Sequence, residues 1–295
     1  MARTPDGAGW VAEMDMPLAN PAEAGHGENL LEVDNLCLRF GGLTVLDAVS
    51  LRVPAGGITA LIGPNGAGKS SLFNAISGCY RPQVGTITFA GREITRLPTS
   101  RRAALGVART FQNIALFPGL TVLDNIKLGS HVHLHTGLLA AGFYLGRARR
   151  EELRLHTELE RDVIDQLGIR DILRVPVATL PYGQQKRVEL ARALAMGPRL
   201  LLLDEPVAGM NRPDRAEMVR LIRNLQQQRG MTVLLVEHDM GVVMDISEQV
   251  IVLDFGRVIT AGTPAAVRED AAVIAAYLGT EAQQSQHGAD EQGPS

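Results

Sequence analysis

The stretch ITALIGPNGAGKSS, residues 58–71, joins an apolar run to a glycine-rich turn and the start of a helical pattern. Its first part, ITALIG, predicts a strand that is buried on both faces. The turn fits the spacing G-x-x-x-x-G-K-[ST], which between a strand and a helix is typical of a phosphate-binding loop. A glycine-rich turn with a chance lysine is the alternative, and the flanking strand and helix argue against it. The residues that match the spacing are Gly63, Gly68, Lys69 and Ser70.

Each part of this loop has a physical role in the predicted site. The glycines let the backbone fold tightly, so that N–H groups and the helix N-terminus face anionic oxygens. Lys69 would bring a positive charge to the β- and γ-phosphates, and the Ser70 hydroxyl would ligate Mg²⁺. The predicted nucleotide-binding residues are Gly63, Pro64, Asn65, Gly66, Ala67, Gly68, Lys69, Ser70 and Ser71.

A second stretch, LLLLDEP at residues 200–206, ends an apolar run with two carboxylates. A buried strand would deliver Asp204 and Glu205 to its carboxyl end, where ligands bind in open α/β sheets. We predict that Asp204 holds Mg²⁺ through water and that Glu205 polarises the attacking water as a general base. A carboxylate pair after a strand is weak by itself, but together with the glycine-rich loop it indicates nucleotide hydrolysis.

Two further polar residues follow strand-like runs. His238 ends TVLLVEHD, residues 232–239, and would lie near the γ-phosphate, where it could bond phosphate or position water. A surface histidine at a strand end is the alternative. Gln112 in RTFQN is predicted to meet Mg²⁺ or the attacking water, although a lone glutamine in a loop is normally solvated.

The bulk composition limits the class of protein. A chain of 295 residues that is 45% hydrophobic can build one large domain or two modest ones. The net charge of −3 argues against a strongly basic protein that coats nucleic acid, so no nucleic-acid partner is predicted. No apolar run approaches the ~18–20 residues that span a bilayer, and no signal peptide follows Arg3, which predicts a cytoplasmic location. Cys37 and Cys79 lack metal-ligand spacing and are predicted to be reduced core thiols.

The chain is divided by composition. Residues 1–28 and 281–295 are polar and aperiodic and predict a disordered extension and tail around a domain at 29–280. Inside it, strand-like and helix-like segments alternate, and the mainly helical residues 98–185 predict an inserted helical subdomain. The strand candidates are 30–40, 58–63, 86–90, 200–204, 232–237 and 249–254. The helix candidates are 69–78, 98–105, 120–130, 149–167, 184–196, 213–229, 240–247 and 264–278.

These motifs in this order resemble the ATP-binding subunits of ABC transporters over about residues 30–279. The resemblance rests on the Walker A GPNGAGKS, the Q-loop Gln112, the signature LPYGQ, the Walker B LLLLDEP, the D-loop AGMN and the H-switch His238. It implies ATP and Mg²⁺ as ligands. It also implies an α/β P-loop NTPase fold of the RecA-like kind, with a mainly parallel sheet core, an antiparallel β subdomain and an inserted helical subdomain.

In that family two ATPase subunits face each other head to tail, and each ATP lies between the Walker A of one subunit and the signature of the other. The resemblance therefore implies a contact to the partner's ATP from Pro181, Tyr182, Gly183 and Gln184, with Asn211 in the D-loop. It also implies that Phe40 stacks on adenine, against the alternative of a core aromatic. The helical subdomain would dock on transmembrane permease subunits, at the cytoplasmic face of the cell membrane.

A finer resemblance links the chain to the G-type ATPase of branched-chain amino acid importers. It rests on RFGGLTVLDAVSL, VARTFQNIALFPGLTVLDNI, LDEPVAGMN, VEHDMGVVMDIS and GTPAAVREDAAVIAAYLG, and on an insert at 129–150. It implies a different, F-type chain as second ATPase subunit and, indirectly, an extracytoplasmic solute-binding protein. The alternatives are a urea or amide importer, a lipid or lipopolysaccharide exporter and a soluble ABC ATPase. The insert holds His131, His133 and His135, for which a solvated or packing role is favoured over metal binding.

The signature departs from the family's common Leu-Ser-Gly-Gly-Gln. Pro181 replaces the serine and offers neither a hydroxyl nor an N–H group, and Tyr182 replaces the first glycine. The backbone N–H groups of Tyr182 and Gly183 remain, and the positive end of the following helix would face phosphate. Asn211 stands where many relatives have Asp. The hypothesis is that this signature serves the weaker of two unequal ATP sites.

Overall fold

The computed structural model describes residues 28–110, 115–130, 157 and 161–277. Its strands are β1 (Asn29–Phe40), β2 (Leu43–Pro54), β3 (Ile58–Ile62), β4 (Val84–Phe89), β5 (Arg92–Glu93), β6 (Val107–Arg109), β7 (Leu200–Asp204), β8 (Thr232–Val236), β9 (Gln249–Asp254) and β10 (Arg257–Gly262). Its α-helices are α1 (Lys69–Ser77), α2 (Thr99–Ala104), α3 (Val122–Ser130), α4 (Tyr182–Leu194), α5 (Arg212–Arg229), α6 (Met240–Ile246) and α7 (Pro264–Glu269). Residues 161–166 and 271–277 are also helical.

The larger sheet has six strands in the order β10-β9-β3-β8-β7-β6. All its pairs are parallel except β10 with β9. In register, Val236 of β8 lies opposite Leu61 of β3 on one side and Asp204 of β7 on the other. The carboxyl ends of β3, β8 and β7 therefore lie in one row, with β8 in the middle.

The smaller sheet is antiparallel, with four strands in the order β2-β1-β4-β5. Its longest pair is the β1–β2 hairpin, which turns at Gly41 and Gly42 between the paired residues Phe40 and Leu43. Gly41 has φ of +56°, which a residue without a Cβ adopts at little cost. A mainly parallel core sheet with a separate antiparallel sheet confirms the predicted fold class.

The continuous apolar strands bury both faces in different hydrophobic clusters. On β3, Ile58, Ala60 and Ile62 face the cluster that includes α3, α4, α5 and α6, whereas Leu61 faces the cluster around α1. β7 and β8 alternate in the same way and are buried along their whole length. Since the apolar side chains of these strands enter one core or the other, the strands are almost entirely apolar; the polar exceptions, all buried, are Thr59, Asp204 and Thr232.

Several strands escaped the sequence reading. β6 has only three residues, β10 lies at a sheet edge, and β2 mixes buried with exposed positions around Ala48, whose φ is +53°. β6 falls inside 98–185 yet pairs with β7 in the larger sheet. The domain boundaries stay predictions, and most of 1–28 and all of 281–295 lie outside the described residues.

Two local predictions were wrong. The helix predicted over 264–278 is interrupted, because Asp270 takes an extended conformation with ψ of 121° and ends α7. Its carboxylate then accepts the N–H of Ala272 at 2.8 Å, at the start of the next helical segment. Cys79 is exposed rather than in the core, and Cys37 is only half-buried; both are free thiols.

A fully buried arginine ties α2 to the phosphate-loop helix. Arg102 is 1% exposed, and its guanidinium donates to the carbonyls of Ala75, Ile76, Thr95 and Leu97 at 2.6, 2.7, 2.9 and 3.0 Å. Ala75 and Ile76 belong to the last turn of α1, whose carbonyls have no partner within the helix. Burial lowers the pKa of Arg102 to about 10, so the side chain keeps its charge at neutral pH. Arg102 thus caps the helix that begins at the glycine-rich loop.

We predict that Arg102→Met destabilises the protein by at least about 3 kcal/mol, because it removes four hydrogen bonds from a buried guanidinium to carbonyls. Arg101→Met is the matched control, since Arg101 lies next to it on α2 and is exposed; its effect should stay within about 0.5 kcal/mol. The measurement is urea unfolding of the full chain. Equal midpoints for the two variants would contradict the capping role.

Candidate nucleotide site

The predicted catalytic residues converge at the carboxyl edge of the larger sheet. β3 leads into the glycine-rich loop, β7 ends at Asp204 followed by Glu205, and β8 is followed by Glu237 and His238. Because these strands are parallel neighbours, their carboxyl ends face the same side, where α/β sheets bind ligands.

The glycine-rich loop depends on two glycines that no other residue replaces easily. Gly63 has φ of +150°, and a Cβ there would lie 2.0 Å from the carbonyl oxygen of Leu253 on β9. Gly68, the residue before α1, has φ of +104°, and its Cβ would lie 3.0 Å from the carbonyl oxygen of Val45. The loop therefore packs closely between β9 and β2. Its tip, at Asn65 and Gly66, is exposed, and so is Ser70 in the first turn of α1.

Lys69 links this loop to the end of β7. Its ammonium group donates to the carbonyls of Gly63 at 2.7 Å and Pro64 at 2.8 Å. Burial lowers the pKa of Lys69, while the charges of Glu205 and Asp204 act against that shift. Because the carboxyl ends of β3 and β7 lie in the same row of strand ends, the lysine and the two carboxylates belong to one site.

Asp204 is held by an arginine at the end of β6. Arg109 donates from Nη2 to Asp204 Oδ2 at 2.8 Å, and its Nη1 donates to Asn74 Oδ1 at 2.6 Å and to Ser77 Oγ at 3.2 Å on α1. The paired side chains are only 9% and 4% exposed, respectively. A buried ion pair of this kind fixes a carboxylate in one orientation. Arg109 thus joins β6, β7 and α1 at one point.

Glu205 and His238 face each other across the β7–β8 edge. Glu205 has φ of +49°, unusual for a residue with a side chain, and its N–H bonds the Val236 carbonyl at 3.0 Å. His238 Nδ1 lies 3.9 Å from Glu205 Oε1, and the side chains are 65% and 22% exposed, respectively. Both side chains are thus open to a ligand at this edge, and a single small molecule could contact both.

One predicted site residue cannot be placed. Gln112 lies outside the described residues, as do His131, His133 and His135 of the insert. In the sequence, Gln112 comes three residues after Arg109, the last residue of β6. β6 pairs directly with β7, which ends at Asp204. Its contact with Mg²⁺ or water stays a prediction.

The signature begins a helix, as expected, but two residues earlier than predicted. Pro181 is the residue before α4, with φ of −55° and ψ of 150°, and its carbonyl accepts the N–H groups of Gln184 at 3.0 Å and Gln185 at 3.1 Å. The N–H groups of Tyr182 and Gly183 belong to the first turn, where a helix has no internal acceptors for them. They stay available as donors, with the positive end of the helix dipole behind them.

The signature packs on the D-loop of its own chain. The Tyr182 ring lies against Gly209, where a Cβ would be 3.3 Å from Cε1 of the ring, and Gly183 lies against the Asp214 carboxylate. Asn211 caps α5: its Oδ1 accepts the Asp214 N–H, and its Nδ2 donates to Asp214 Oδ2, both at 2.9 Å. The asparagine that departs from the common Asp therefore suits the helix start.

Phe40 is placed at the surface rather than in the core. It ends β1 with 46% of its area exposed and meets Tyr80 edge to face, with ring centroids 5.0 Å apart. The same hairpin continues into Val45, whose carbonyl lies beside Gly68 of the glycine-rich loop. An exposed aromatic on the strand pair that borders the loop is consistent with a stacking role, which stays a prediction.

Comparison with known proteins gives the family. A family model described as ABC transporter matches residues 46–208, and a second, described as Branched-chain amino acid ATP-binding cassette transporter, matches residues 257–283. The chain belongs to the ABC transporter family. This ABC protein is 41% identical to the high-affinity branched-chain amino acid transport ATP-binding protein BraF of Pseudomonas aeruginosa, over 85% of the chain and 98% of the relative. It is also 41% identical to LivG of Salmonella typhimurium, with the same coverage.

Solved structures agree with this assignment. The ABC protein resembles the crystal structure of a nucleotide-free ATP-binding cassette from an ABC transporter, with a TM-score of 0.73 and 27% identity. The match covers 85% of this chain and 99% of the other. Within the described part of the chain, no helix has the length and apolar character needed to cross a membrane. The resemblance stated from the motifs is confirmed at the level of the family.

Sequence reasoning did not single out three residues that contact predicted site residues or their loops. Arg109 was overlooked because β6 was not recognised, although its place just before TFQN was visible. Glu237 was included in a strand candidate, and Tyr80 lies in none of the candidate elements. Nothing in the local pattern distinguishes these residues, since their partners Asp204, Val207 and Phe40 are distant in sequence.

We predict that Arg109→Met costs about 3–5 kcal/mol of stability, because it leaves a buried carboxylate without its cation. Adding Asp204→Asn should recover part of that loss, since the unpaired charge is then removed. Arg52→Met is the control: Arg52 pairs with Asp34 at 2.7 Å where both side chains are more than 40% exposed, and it should cost less than about 1 kcal/mol. Urea unfolding of Arg109→Met, Asp204→Asn, the double variant and Arg52→Met checks these values. If the loss of the double variant equals the sum of the two single losses, the pairing energy is refuted.

Proposed function

We propose that this protein is the ATP-hydrolysing subunit that energises an ABC importer for branched-chain amino acids. The observation that carries the proposal is the likeness to transport ATP-binding proteins for these amino acids along 85% of the chain, joined to the site geometry. The family model that matches residues 257–283 supports the same branch, because its description names branched-chain amino acids.

The loop and the first turn of α1 would hold the triphosphate. Lys69 would exchange its bonds to the loop carbonyls for phosphate oxygens, and the loop's N–H groups would surround the β-phosphate. Phe40 would stack on the adenine ring. Pro64, Asn65, Gly66 and Ala67 would form the turn that approaches the phosphates, and Ser71 would follow on α1.

Oxygen ligands suited to Mg²⁺ come from α1 and β7. The Ser70 hydroxyl is exposed at the helix start and Asp204 stands at the strand end, and hard oxygen donors of this kind fit Mg²⁺, which also binds phosphate oxygens. We infer that Ser70, Asp204 and Gln112 hold the ion, Asp204 through water. When bound, Mg²⁺ neutralises charge that develops on the phosphate oxygens.

Glu205 and His238 would act on the transferred phosphoryl group. Glu205 would orient a water molecule for in-line attack on the γ-phosphorus and accept its proton. His238, exposed beside it, would donate to a γ-phosphate oxygen or hold the same water. The products are ADP and inorganic phosphate.

A second ATPase subunit, a different F-type chain, would complete each site. Pro181, Tyr182, Gly183 and Gln184 would face the ATP that is bound by the partner's Walker A. The donors left there are backbone N–H groups and a helix dipole, so this signature would serve the weaker of two unequal sites. Asn211 would contribute to the same interface from the D-loop.

The helical subdomain would dock on transmembrane permease subunits at the cytoplasmic face of the cell membrane, where the protein is peripheral. An extracytoplasmic solute-binding protein would deliver the amino acid to those permeases. A urea or amide importer is the second candidate, favoured only by the shared motif pattern. Stimulation of ATP hydrolysis by urea or a short amide, and not by leucine, in the complex with the binding protein would select it.

We predict that Lys69→Ala weakens ATP binding at least about tenfold, because it removes a charged donor. Glu205→Gln should bind ATP normally but turn over about 100-fold more slowly or worse, because it lacks the base. Calorimetry with Mg-ATP and phosphate release in the leucine-stimulated complex measure these effects. Lys127→Ala, at an exposed position of α3, is the control and should bind ATP like the parent protein. Full turnover by Glu205→Gln would overturn the catalytic assignment.

We predict that Pro181→Ser tightens the ATP-driven association of the two ATPase subunits about tenfold, because the hydroxyl restores a bond to a charged phosphate. Analytical ultracentrifugation at graded ATP concentrations measures the association. Pro198→Ser, beyond the other end of α4, is the matched control and should leave it unchanged. If Pro181→Ser alters neither association nor turnover, the missing hydroxyl does not weaken this site, and the proposed reason for unequal sites is wrong.

A further inference from the structure

A buried carboxylate lies between the two loops that carry Glu205 and His238. The residue is Glu237, which follows β8 directly and is 1% exposed. It lies outside the Walker, signature, D-loop and Q-loop segments, and the proposed hydrolysis gives it no step. Burial of a carboxylate is costly unless its oxygens are bonded, so its partners indicate its role.

One oxygen of Glu237 reaches across to the neighbouring loop, and the other binds the next residue of its own loop. Oε1 accepts the N–H of Val207 at 3.2 Å, and Oε2 accepts the N–H of His238 at 3.2 Å. Val207 lies in the turn after Glu205, which is closed by the bond from the Ala208 N–H to the Glu205 carbonyl at 3.2 Å. One side chain therefore holds the backbone that presents the proposed base and the backbone that presents the histidine.

The chemistry of the contact favours a carboxylate over an amide of the same shape. Both partners are N–H donors, so both side-chain atoms must accept, and only a carboxylate has two acceptor oxygens. Burial raises the pKa of Glu237, against which the hydrogen bond from the Val207 backbone and the charge of His238 both act. An apolar side chain would fill the space at less cost, but it would leave the two loops unlinked.

We propose that Glu237 is a positioning residue for ATP hydrolysis: by joining Val207 to His238, it sets the relative placement of Glu205 and His238. Their atoms Oε1 and Nδ1 are 3.9 Å apart, a spacing that suits two groups acting on one γ-phosphate and its attacking water. The proposal rests on the proposed function, because it requires both residues to act in the same step. Glu237 itself touches neither ATP nor water in this scheme.

The test is Glu237→Gln in the full chain, assembled with its membrane subunits and assayed for ATP turnover. The amide places a donor against one of the two N–H groups, so kcat should fall about tenfold or more. The KM for ATP should stay within about twofold, because the glycine-rich loop and Lys69 are unchanged. Unchanged kcat, or a rise of KM alone, would overturn the proposal.

Glu189→Gln is the matched control for the loss of a buried carboxylate. Glu189 is 2% exposed on α4 and pairs with Lys186, three residues earlier on the same helix, at 3.5 Å. This variant should lose thermal stability and keep its kcat. Equal losses of kcat in the two variants would mean that Glu237 acts through general stability, which overturns the positioning role.

A double-mutant cycle separates positioning from simple packing. In a His238→Ala background, Glu237→Gln should lower kcat less than about twofold, because one of the groups that it positions is gone. A multiplicative effect of the two changes would overturn the proposal. Glu237→Asp keeps the charge and shortens the reach, and the same cycle with this variant gives the answer if Glu237→Gln does not fold.

The cycle also tells the two proposals apart. If Glu205→Gln and His238→Ala lower turnover and Glu237→Gln does not, only the positioning role fails. If Glu205→Gln and His238→Ala keep full turnover, the proposed catalytic roles fail, and the positioning role fails with them.

Discussion

The parallel pairing of β3, β8 and β7 is the constraint on which the site depends. Val236 lies between Leu61 and Asp204 in the hydrogen-bonded row, so three strand ends are held side by side at one edge. Parallel strands require long crossovers, which is why the residues that meet here are far apart in the chain. The buried apolar side chains on both faces of these strands keep the row in place.

Around that edge, individual side chains convert a row of strand ends into a rigid site. Arg109 ties Asp204 to α1, and Glu237 ties the turn after Glu205 to His238. Arg102 holds the far end of α1 through its carbonyls. The helix that begins at the phosphate-binding loop is thus restrained at several points, as expected where charge must be placed within a fraction of an ångström.

The contact between the signature and the D-loop has a consequence for how two subunits would communicate. Tyr182 and Gly183 begin a helix that is proposed to face the partner's ATP, yet they pack on Gly209 and Asp214 of their own chain. Gly209 is only four residues beyond Glu205. A movement of the signature against its partner would therefore press directly on the loop that follows the proposed base, which gives a short physical route between two ATP sites.

The sequence could predict those parts of the fold whose signal is local. β3, β7, β8 and β9 were found because they are short apolar runs, and the glycine-rich loop because its spacing is specific. β2 and β6 were missed, since an amphipathic bulged strand and a three-residue strand have no clear period. The break at Asp270 was missed because the apolar pattern continues across it, while the aspartate caps the next segment.

The sequence by itself determined the class of site, because the glycine spacing, the lysine and the carboxylates after apolar runs together indicate nucleotide binding and hydrolysis. It determined the family for the same reason, since several specific motifs occur in order. Only the tertiary structure decided that Arg109 orients Asp204, that Glu237 joins two loops and that Tyr182 rests on Gly209. These contacts join residues that are distant along the chain, and their geometry is set by strand register and helix packing, which no local pattern encodes.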